Sequence, residues 1–315
     1  MRYRRLGESG LAVSVVGLGC NNFGNRIDAA ASRAVVGAAL DAGVTLFDTA
    51  DVYGRPHGRS EELLGEGLGG RRDDIVVATK FGVSMDGRNG ADRDARGSRR
   101  YVRTAVEASL RRLQTDRIDL LQMHEPDHAT PIDETLSALD DLIRAGKVLY
   151  VGNSNFAAWQ VVEAELAARE HRTHRFVSTQ ARYSLLYRSP ELELIPAALR
   201  FGLGLLPYFP LERGLLTGKY QRATAPPAGT RLAGDGSSGA LAAADWDRIE
   251  ALAEFARVRG LDMLDVAIGG LAARPAVSSV IAGATTPEQV VANVKAGSWE
   301  PSVGDIDELD RLTAG

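Results

Sequence analysis

Four residues of the chain have the types needed to move a proton to or from an oxygen: Asp48 and Tyr53 inside LFDTADVYG, Lys80 in VVATKFG, and His124 in LLQMHEPD. A phenol has an unperturbed pKa of about 10, so tyrosine is a weak acid at neutral pH. An adjacent ammonium favours phenolate, and a carboxylate paired with that ammonium keeps it charged and fixed. Asp48, Lys80 and Tyr53 form such a relay, on which Lys80 is expected to make the Tyr53 phenol more acidic. A histidine beside the phenol, His124, can orient a carbonyl oxygen by hydrogen bonding. Together the four can protonate an alkoxide as it forms, which hydride addition to an aldehyde or ketone requires. The plainer alternative makes Asp48 and Lys80 a buried ion pair, Tyr53 a rim aromatic and His124 a satisfied histidine.

Three of these residues close short apolar runs, so the runs must position them. Eight runs are present: Val13 to Leu18, Thr45 to Asp48, Ile75 to Thr79, Ile118 to Met123, Val148 to Gly152, Phe176 to Thr179, Gly204 to Tyr208 and Ser278 to Ala282. Their near-continuous hydrophobicity fits parallel strands covered on both faces. Between them, Ala30 to Ala42, Ser60 to Leu68, Tyr101 to Leu113, Asp133 to Ala145, Ala157 to Arg169, Pro190 to Phe201 and Leu261 to Ala273 read as helices. The alternation predicts an α/β fold, a closed (β/α)8 TIM barrel, forming a single domain over residues 1–315. In such barrels the active site lies at the carboxyl ends of the strands. Asn153, Ser154, Asn155, Gln180 and Tyr208 follow or end other runs and join the candidates.

Ahead of the barrel, YRRLGESGLAVSVV reads as an N-terminal β-hairpin closing the barrel floor. An open doubly wound sheet would carry its glycine fingerprint between the first strand and helix; GEGLGG instead follows SEELL and reads as a helix end and turn. GLLTGKY has too few residues between its glycines for a phosphate loop. Ser84 to Arg99 and Ala223 to Gly239 are rich in Gly, Pro and charge and read as lids or disordered loops.

With 44% hydrophobic and 25% charged residues the chain is of globular composition, and its net charge of -4 lacks the basic excess of a nucleic-acid binder. No apolar window of about 18 residues spans a membrane. The single cysteine, Cys20, allows no intrachain disulfide, and with no signal-peptide pattern the expected location is cytoplasmic. HEPDH places two histidines four apart, but Pro126 prevents the helix that would bring them onto one face, so no metal is expected. The pattern does not specify an oligomeric state.

At YRRLGESGLAVSVVGLGCNNFG, DAGVTLFDTADVYGRPHGRSEELLGEGL, VVATKFG, SLRRLQTDRIDLLQMHEPD, VGNSNF and VIAGATTPEQVVANV the chain resembles the aldo-keto reductase family, over nearly its whole length. The resemblance implies a (β/α)8 barrel that binds NADPH in extended form and reduces small carbonyl substrates, sugars among them. It implies Tyr53 as general acid/base, Asp48 and Lys80 as its activating pair and His124 as the orienting group. It also implies that Ser154, Asn155 and Gln180 hold the carboxamide and that Tyr208 stacks on the nicotinamide. The loop of Phe209, Pro210, Leu211 and onward to Gly214 would meet the pyrophosphate, and Lys219 and Arg231 the adenosine end. Gly19, Asn21, Gly283, Thr285, Gln289 and Asn293 complete the implied cofactor set.

Departures from the family pattern fall at the adenosine end: Gly283, Gln289 and Ala292 stand where many members have lysine, arginine and glutamate. NADH therefore stays open beside NADPH. Asn22, Phe23, His57, Met85, Glu125 and Arg213 are the candidate walls of the substrate pocket, and Arg182 and Arg213 are candidates to attract an anion. Potassium-channel β subunits share this barrel, so the alternative function is a nucleotide-sensing regulatory subunit without significant turnover.

Overall fold

The computed structural model describes residues 1–233 and 238–314. The part of the expected Ala223 to Gly239 loop at positions 234–237 lies outside the described residues. A two-stranded antiparallel hairpin, β1 (Tyr3–Arg5) and β2 (Ala12–Ser14), precedes an eight-stranded parallel sheet. The barrel strands are β3 (Val16–Gly19), β4 (Leu46–Asp48), β5 (Val76–Phe81), β6 (Ile118–Met123), β7 (Val148–Ser154), β8 (Ser178–Arg182), β9 (Gly204–Tyr208) and β10 (Val280–Gly283). Each pairs with the next in the chain, and β10 returns to pair with β3. The last seam, between β9 and β10, closes just ahead of β10: Leu205 N donates to Ala276 O at 2.8 Å and Ser278 N to Leu205 O at 3.0 Å. The expected run from Val13 to Leu18 divides at Val15, its first part going to the hairpin and its second to the barrel.

Side chains alternate between the two faces of a strand, and this alternation sorts the barrel. Leu46, Val76, Ala78, Leu120, Leu206 and Ile281 form a cluster inside the ring together with Leu6 and Val13 of the hairpin. Phe47, Val77, Phe81, Leu121 and Met123, one residue out of step, belong to the larger layer between strands and helices. Inside so narrow a ring some strands must be bare: a Cβ at Gly152 would collide with Ser178 Oγ. The hairpin plugs the floor, with Leu6 fully buried and Glu8 N donating to Gly202 O at 2.9 Å.

Around the barrel run α1 (Ala29–Asp41), α2 (Arg59–Leu68), α3 (Arg99–Leu113), α4 (Ile132–Arg144), α5 (Ala158–His171), α6 (Leu194–Phe201), α7 (Ser238–Ala242), α8 (Trp246–Val258), α9 (Met263–Ala272), α10 (Pro287–Ala296) and α11 (Val303–Thr313). The expected Pro190 to Phe201 helix begins late; Ser189–Glu191 is a separate 3-10 turn, and Glu191 is held there by Arg188 and Tyr183. Helices α7, α8, α10 and α11 were not among the seven expected. Two of them carry start signals that a count of strands passes over: Thr286 caps α10 ahead of Pro287, and Ser302 caps α11 in a reciprocal pair with Asp305.

Truncating the floor plug is expected to loosen the whole barrel: Leu6→Ala should cost roughly 2–5 kcal/mol. Urea unfolding followed by circular dichroism measures this, and a midpoint equal to that of the wild type would contradict the plug.

Candidate active site

The same alternation builds the mouth. The inward positions at the carboxyl ends are Gly19, Asp48, Lys80, Gln122, Ser154, Gln180, Tyr208 and Gly283, one from each strand; five of them are in step with Leu46, Ala78, Leu120, Leu206 and Ile281 below, and the other three with Gly17, Gly152 and Ser178. Registers agree: Gly19 pairs with Asp48, Lys80 with Gln122 and Ser154 with Gln180. His124 is the next inward position beyond Gln122, and its backbone N donates to Phe81 O at 2.8 Å.

Lys80 is fully buried beneath this mouth, and Asp48 is nearly so. The ammonium donates to Asp48 Oδ2 and to Thr49 O, each at 2.7 Å, and interacts with the Tyr53 hydroxyl from 4.9 Å off the ring centroid. The other Asp48 oxygen accepts from Gln180 Nε2 at 2.9 Å and from Gln122 Nε2 at 3.1 Å. Burial pulls the Lys80 pKa down, but Asp48 and Tyr53 outweigh it, so the ammonium sits above its ordinary value. Tyr53 meets His124 edge to face, with ring centroids 5.6 Å apart.

The expectation of a more acidic phenol is overturned. Burial raises the Tyr53 pKa, Lys80 lowers it and Asp48 raises it again; the net direction is upward. The physical reason is that Asp48 neutralises much of the ammonium's field while the protein removes the water that would solvate a phenolate. His124 goes the other way: burial and then the Lys80 charge hold its pKa down to about 3, so its imidazole is neutral across the physiological range.

A cavity of about 700 Å³ opens over these groups. Asp48, Tyr53 and His124 line one end. Gly19, Asn21, Ser154, Asn155, Gln180 and Tyr208 line its middle, followed by Phe209, Pro210, Leu211 and Gly214. Lys219, Arg231, Thr285, Gln289 and Asn293 also line the cavity, and Gly283, paired with Gly19, lines it at the barrel mouth. Asn155, in the left-handed region at φ 61°, donates to His124 O at 2.9 Å and accepts from Tyr208 OH at 2.8 Å, so three strand ends are laced together. Asn153 instead faces away, its Oδ1 accepting from Thr179.

Beyond β9 the chain is strained: Phe209, Glu212 and Arg213 all have positive φ. Each such non-glycine residue costs of order 1–3 kcal/mol and persists only where surroundings enforce it. Here Glu212 is held by Arg182 at 2.6 Å and by Ser184 at 2.8 Å. Arg182, read from sequence as an anion attractor, is thus committed to a carboxylate. Among the other expected pocket walls, Asn22 and Arg213 line the cavity, whereas Phe23 and Met85 are buried in the core and Glu125 is exposed.

Sequence reasoning missed two contributors. Gln122 could have been found as a polar residue in step with Leu120; Arg26, which lines the cavity, carries no periodic signal. The Cys20 thiol is buried and pushed well above its ordinary pKa by burial and then by Asp48, so it is no nucleophile.

The chain matches the aldo/keto reductase family model over residues 15–314. It is 38% identical to an uncharacterized oxidoreductase of Bacillus subtilis and 37% identical to a probable voltage-gated potassium channel subunit beta of Oryza sativa, each match covering 94% of this chain and 91% of the relative. It is 34% identical to the L-glyceraldehyde 3-phosphate reductase of Escherichia coli, over 100% of this chain and 93% of that one. A buried acid–ammonium pair beneath a tyrosine and a histidine at the mouth of a (β/α)8 barrel accompanies these likenesses, and the chain belongs to the aldo/keto reductase family of oxidoreductases.

Proposed function

We propose that the protein is an NADP(H)-dependent oxidoreductase that reduces aldehydes or ketones, sugars among them, to alcohols, with Tyr53 as the proton donor. The observation that carries this reading is the single cavity that joins the Asp48, Tyr53 and His124 end to a cationic end. Arg26, Arg213, Lys219 and Arg231 all line it, and among the described residues none of the four has a carboxylate within 4.0 Å. The half-buried Arg231 guanidinium is lowered in pKa by burial, by Arg26 and by Arg213. Like charges gathered at one end of a cleft fit an anion, and a phosphorylated dinucleotide supplies several. Gln289 spends its carbonyl on Thr285 N at 2.8 Å and on Thr285 Oγ1 at 3.1 Å, which leaves its amide donors for the ligand.

A nicotinamide cofactor, when bound, would supply the hydride. Everything else falls to the side chains. Tyr53 keeps its proton at neutral pH because burial outweighs Lys80, and it therefore stands ready to give that proton to a developing alkoxide. As phenolate forms, the ammonium fixed by Asp48 and Thr49 O offsets its charge without having to move. The neutral His124 imidazole orients the carbonyl oxygen beside the phenol. Tyr208 offers a ring face, Ser154 a hydroxyl, and Asn155 and Gln180 amide groups to the nicotinamide.

One observation favours a second reading. The likeness to a probable voltage-gated potassium channel subunit beta fits a sensor that binds cofactor without significant turnover.

Activity separates the two. Tyr53→Phe is expected to lower kcat on 4-nitrobenzaldehyde with NADPH by roughly 100- to 10,000-fold while leaving NADPH affinity intact. Tight NADPH binding with no turnover on a broad carbonyl panel would favour the sensor. In fluorescence titrations NADPH should bind more tightly than NADH, and Arg231→Ala should weaken NADPH by about tenfold or more, with NADH little changed. Equal affinities would remove the NADP(H) assignment.

The His124 shift has its own consequence. Its folded pKa of about 3 lies below the ordinary 6.5, so the unfolded chain binds the proton first as pH falls. The stabilising contribution is complete above pH 6.5 and is lost as pH drops toward about 3. His124→Gln should therefore lose less stability than the wild type between neutral and acidic pH in urea unfolding. Parallel losses would contradict a buried neutral imidazole.

A further inference from the structure

Asn89 lies in the long loop that leaves β5 after Lys80. The sequence marks that loop as loose, yet Asn89 is 2% exposed and Met85 1%. Both ends of the Asn89 amide are in use: Nδ2 donates to Asp51 Oδ2 at 2.9 Å, and Oδ1 accepts from Arg112 Nη1 at 3.1 Å. Arg112 Nε donates to Glu61 Oε2 at 2.6 Å, and Glu61 Oε1 accepts from Thr79 Oγ1 at 2.6 Å. Asp51 N donates to Lys80 O at 3.1 Å. These bonds form a closed circuit that leaves β5 at Thr79, crosses α2, α3 and the loop, and returns to β5 at Lys80. It passes through Asp51, which sits between Asp48 and Tyr53 in the chain.

We infer that Asn89 is a positioning residue for Tyr53, closing a buried hydrogen-bond circuit that fixes the turn from Asp48 to Tyr53 against the strand carrying Lys80. This rests on the reading above that Tyr53 delivers the proton. Asn89 does not line the cavity, so it acts through Asp51. Its chemistry is specific: the position needs one donor and one acceptor back to back, which an asparagine supplies without charge. A negative charge there would be costly, because Asp51 and Glu61 already place two carboxyls against one guanidinium. Burial, then Glu61, push the Asp51 carboxyl well above its usual range against the pull of Arg112 and Asn89. The other titratable group against it is Tyr101 of α3, with Asp92 and Arg96 of the loop beyond.

The test compares Asn89→Ala and Asn89→Asp in the full chain. Asn89→Ala should lower kcat with NADPH and 4-nitrobenzaldehyde by roughly ten- to a hundredfold while NADPH affinity stays within about twofold. Asn89→Asp keeps the shape and, while protonated, one donor and one acceptor, and it carries the test should Asn89→Ala fail to fold. Its carboxyl can bridge to Asp51 only while the pair shares a proton, so its kcat relative to wild type should fall as pH rises. Wild-type-like kcat in Asn89→Ala, or a pH-independent ratio in Asn89→Asp, overturns the inference. If the wild type turns over no carbonyl, the acid–base reading fails instead, and the circuit is read by hydrogen exchange of peptides covering Asp48 to Tyr53. Faster exchange in either variant supports it, and unchanged exchange overturns it.

Discussion

A lysine ammonium with no exposure to water is the constraint on which the rest of the site depends. Taking such an ion out of water costs several kcal/mol even after relaxation. Here the cost is offset by a carboxylate and a carbonyl oxygen, each at 2.7 Å, and the carboxylate is itself held by two amides. A buried pair of this kind is a poor source of stability, since well-packed apolar residues often do as well or better. What it does provide is a fixed positive field beside one phenol. Burial and Asp48 push that phenol's pKa up and Lys80 pulls it back, so the proton is retained at rest and the charge left behind on transfer is still met.

The period of two along the strands delivers this arrangement. Asp48, Lys80, Gln122 and Gln180 come from four strands; the first three stand directly above Leu46, Ala78 and Leu120 of the barrel interior, and Gln180 stands above Ser178. A slip of one residue in β5 would turn Lys80 outward and bring Thr79 in, destroying the pair and the interior packing together. Register is thus enforced from below by Val76, Ala78 and Leu120, with Leu6 of the hairpin closing the stack. The floor and the mouth are parts of one packing problem.

Much of this was legible in the sequence because it is local. Asp48 after an apolar run, Lys80 after another and His124 after a third announce strand ends, and eight such runs announce a barrel. What stayed hidden is what depends on sums over the fold. The direction of the Tyr53 shift is set by burial against two opposite charges, and no spacing encodes that balance. Gln122 was hidden inside an apolar run, and its partner Asp48 lies 74 residues away. The loop carrying Asn89 has the composition of a disordered segment, but two side chains fold under it, and composition does not say which few residues of a polar stretch are buried. Arg26 lacked any signal, since a single loop arginine has neither period nor partner in the chain.

The placement of positive charge bears on how the cleft works. Gly283 and Ala292 bring no charge to the cavity from β10 and α10, and the cations there come from loops: Arg26 after β3, and Arg213, Lys219 and Arg231 after β9. Charges on a helix are fixed before a ligand arrives; charges on two facing loops repel one another until an anion lies between them. Burial, and after it Arg26 and Arg213, lower the pKa of Arg231, so repulsion among these loop cations adds to the cost of burying its charge. A dinucleotide lacking the extra phosphate would offset less of this repulsion, so on the proposed reading discrimination between the two nicotinamide cofactors would rest on these loop cations rather than on a helical site. The strained turn at Glu212 and Arg213, pinned by Arg182, gives one of those loops a fixed base.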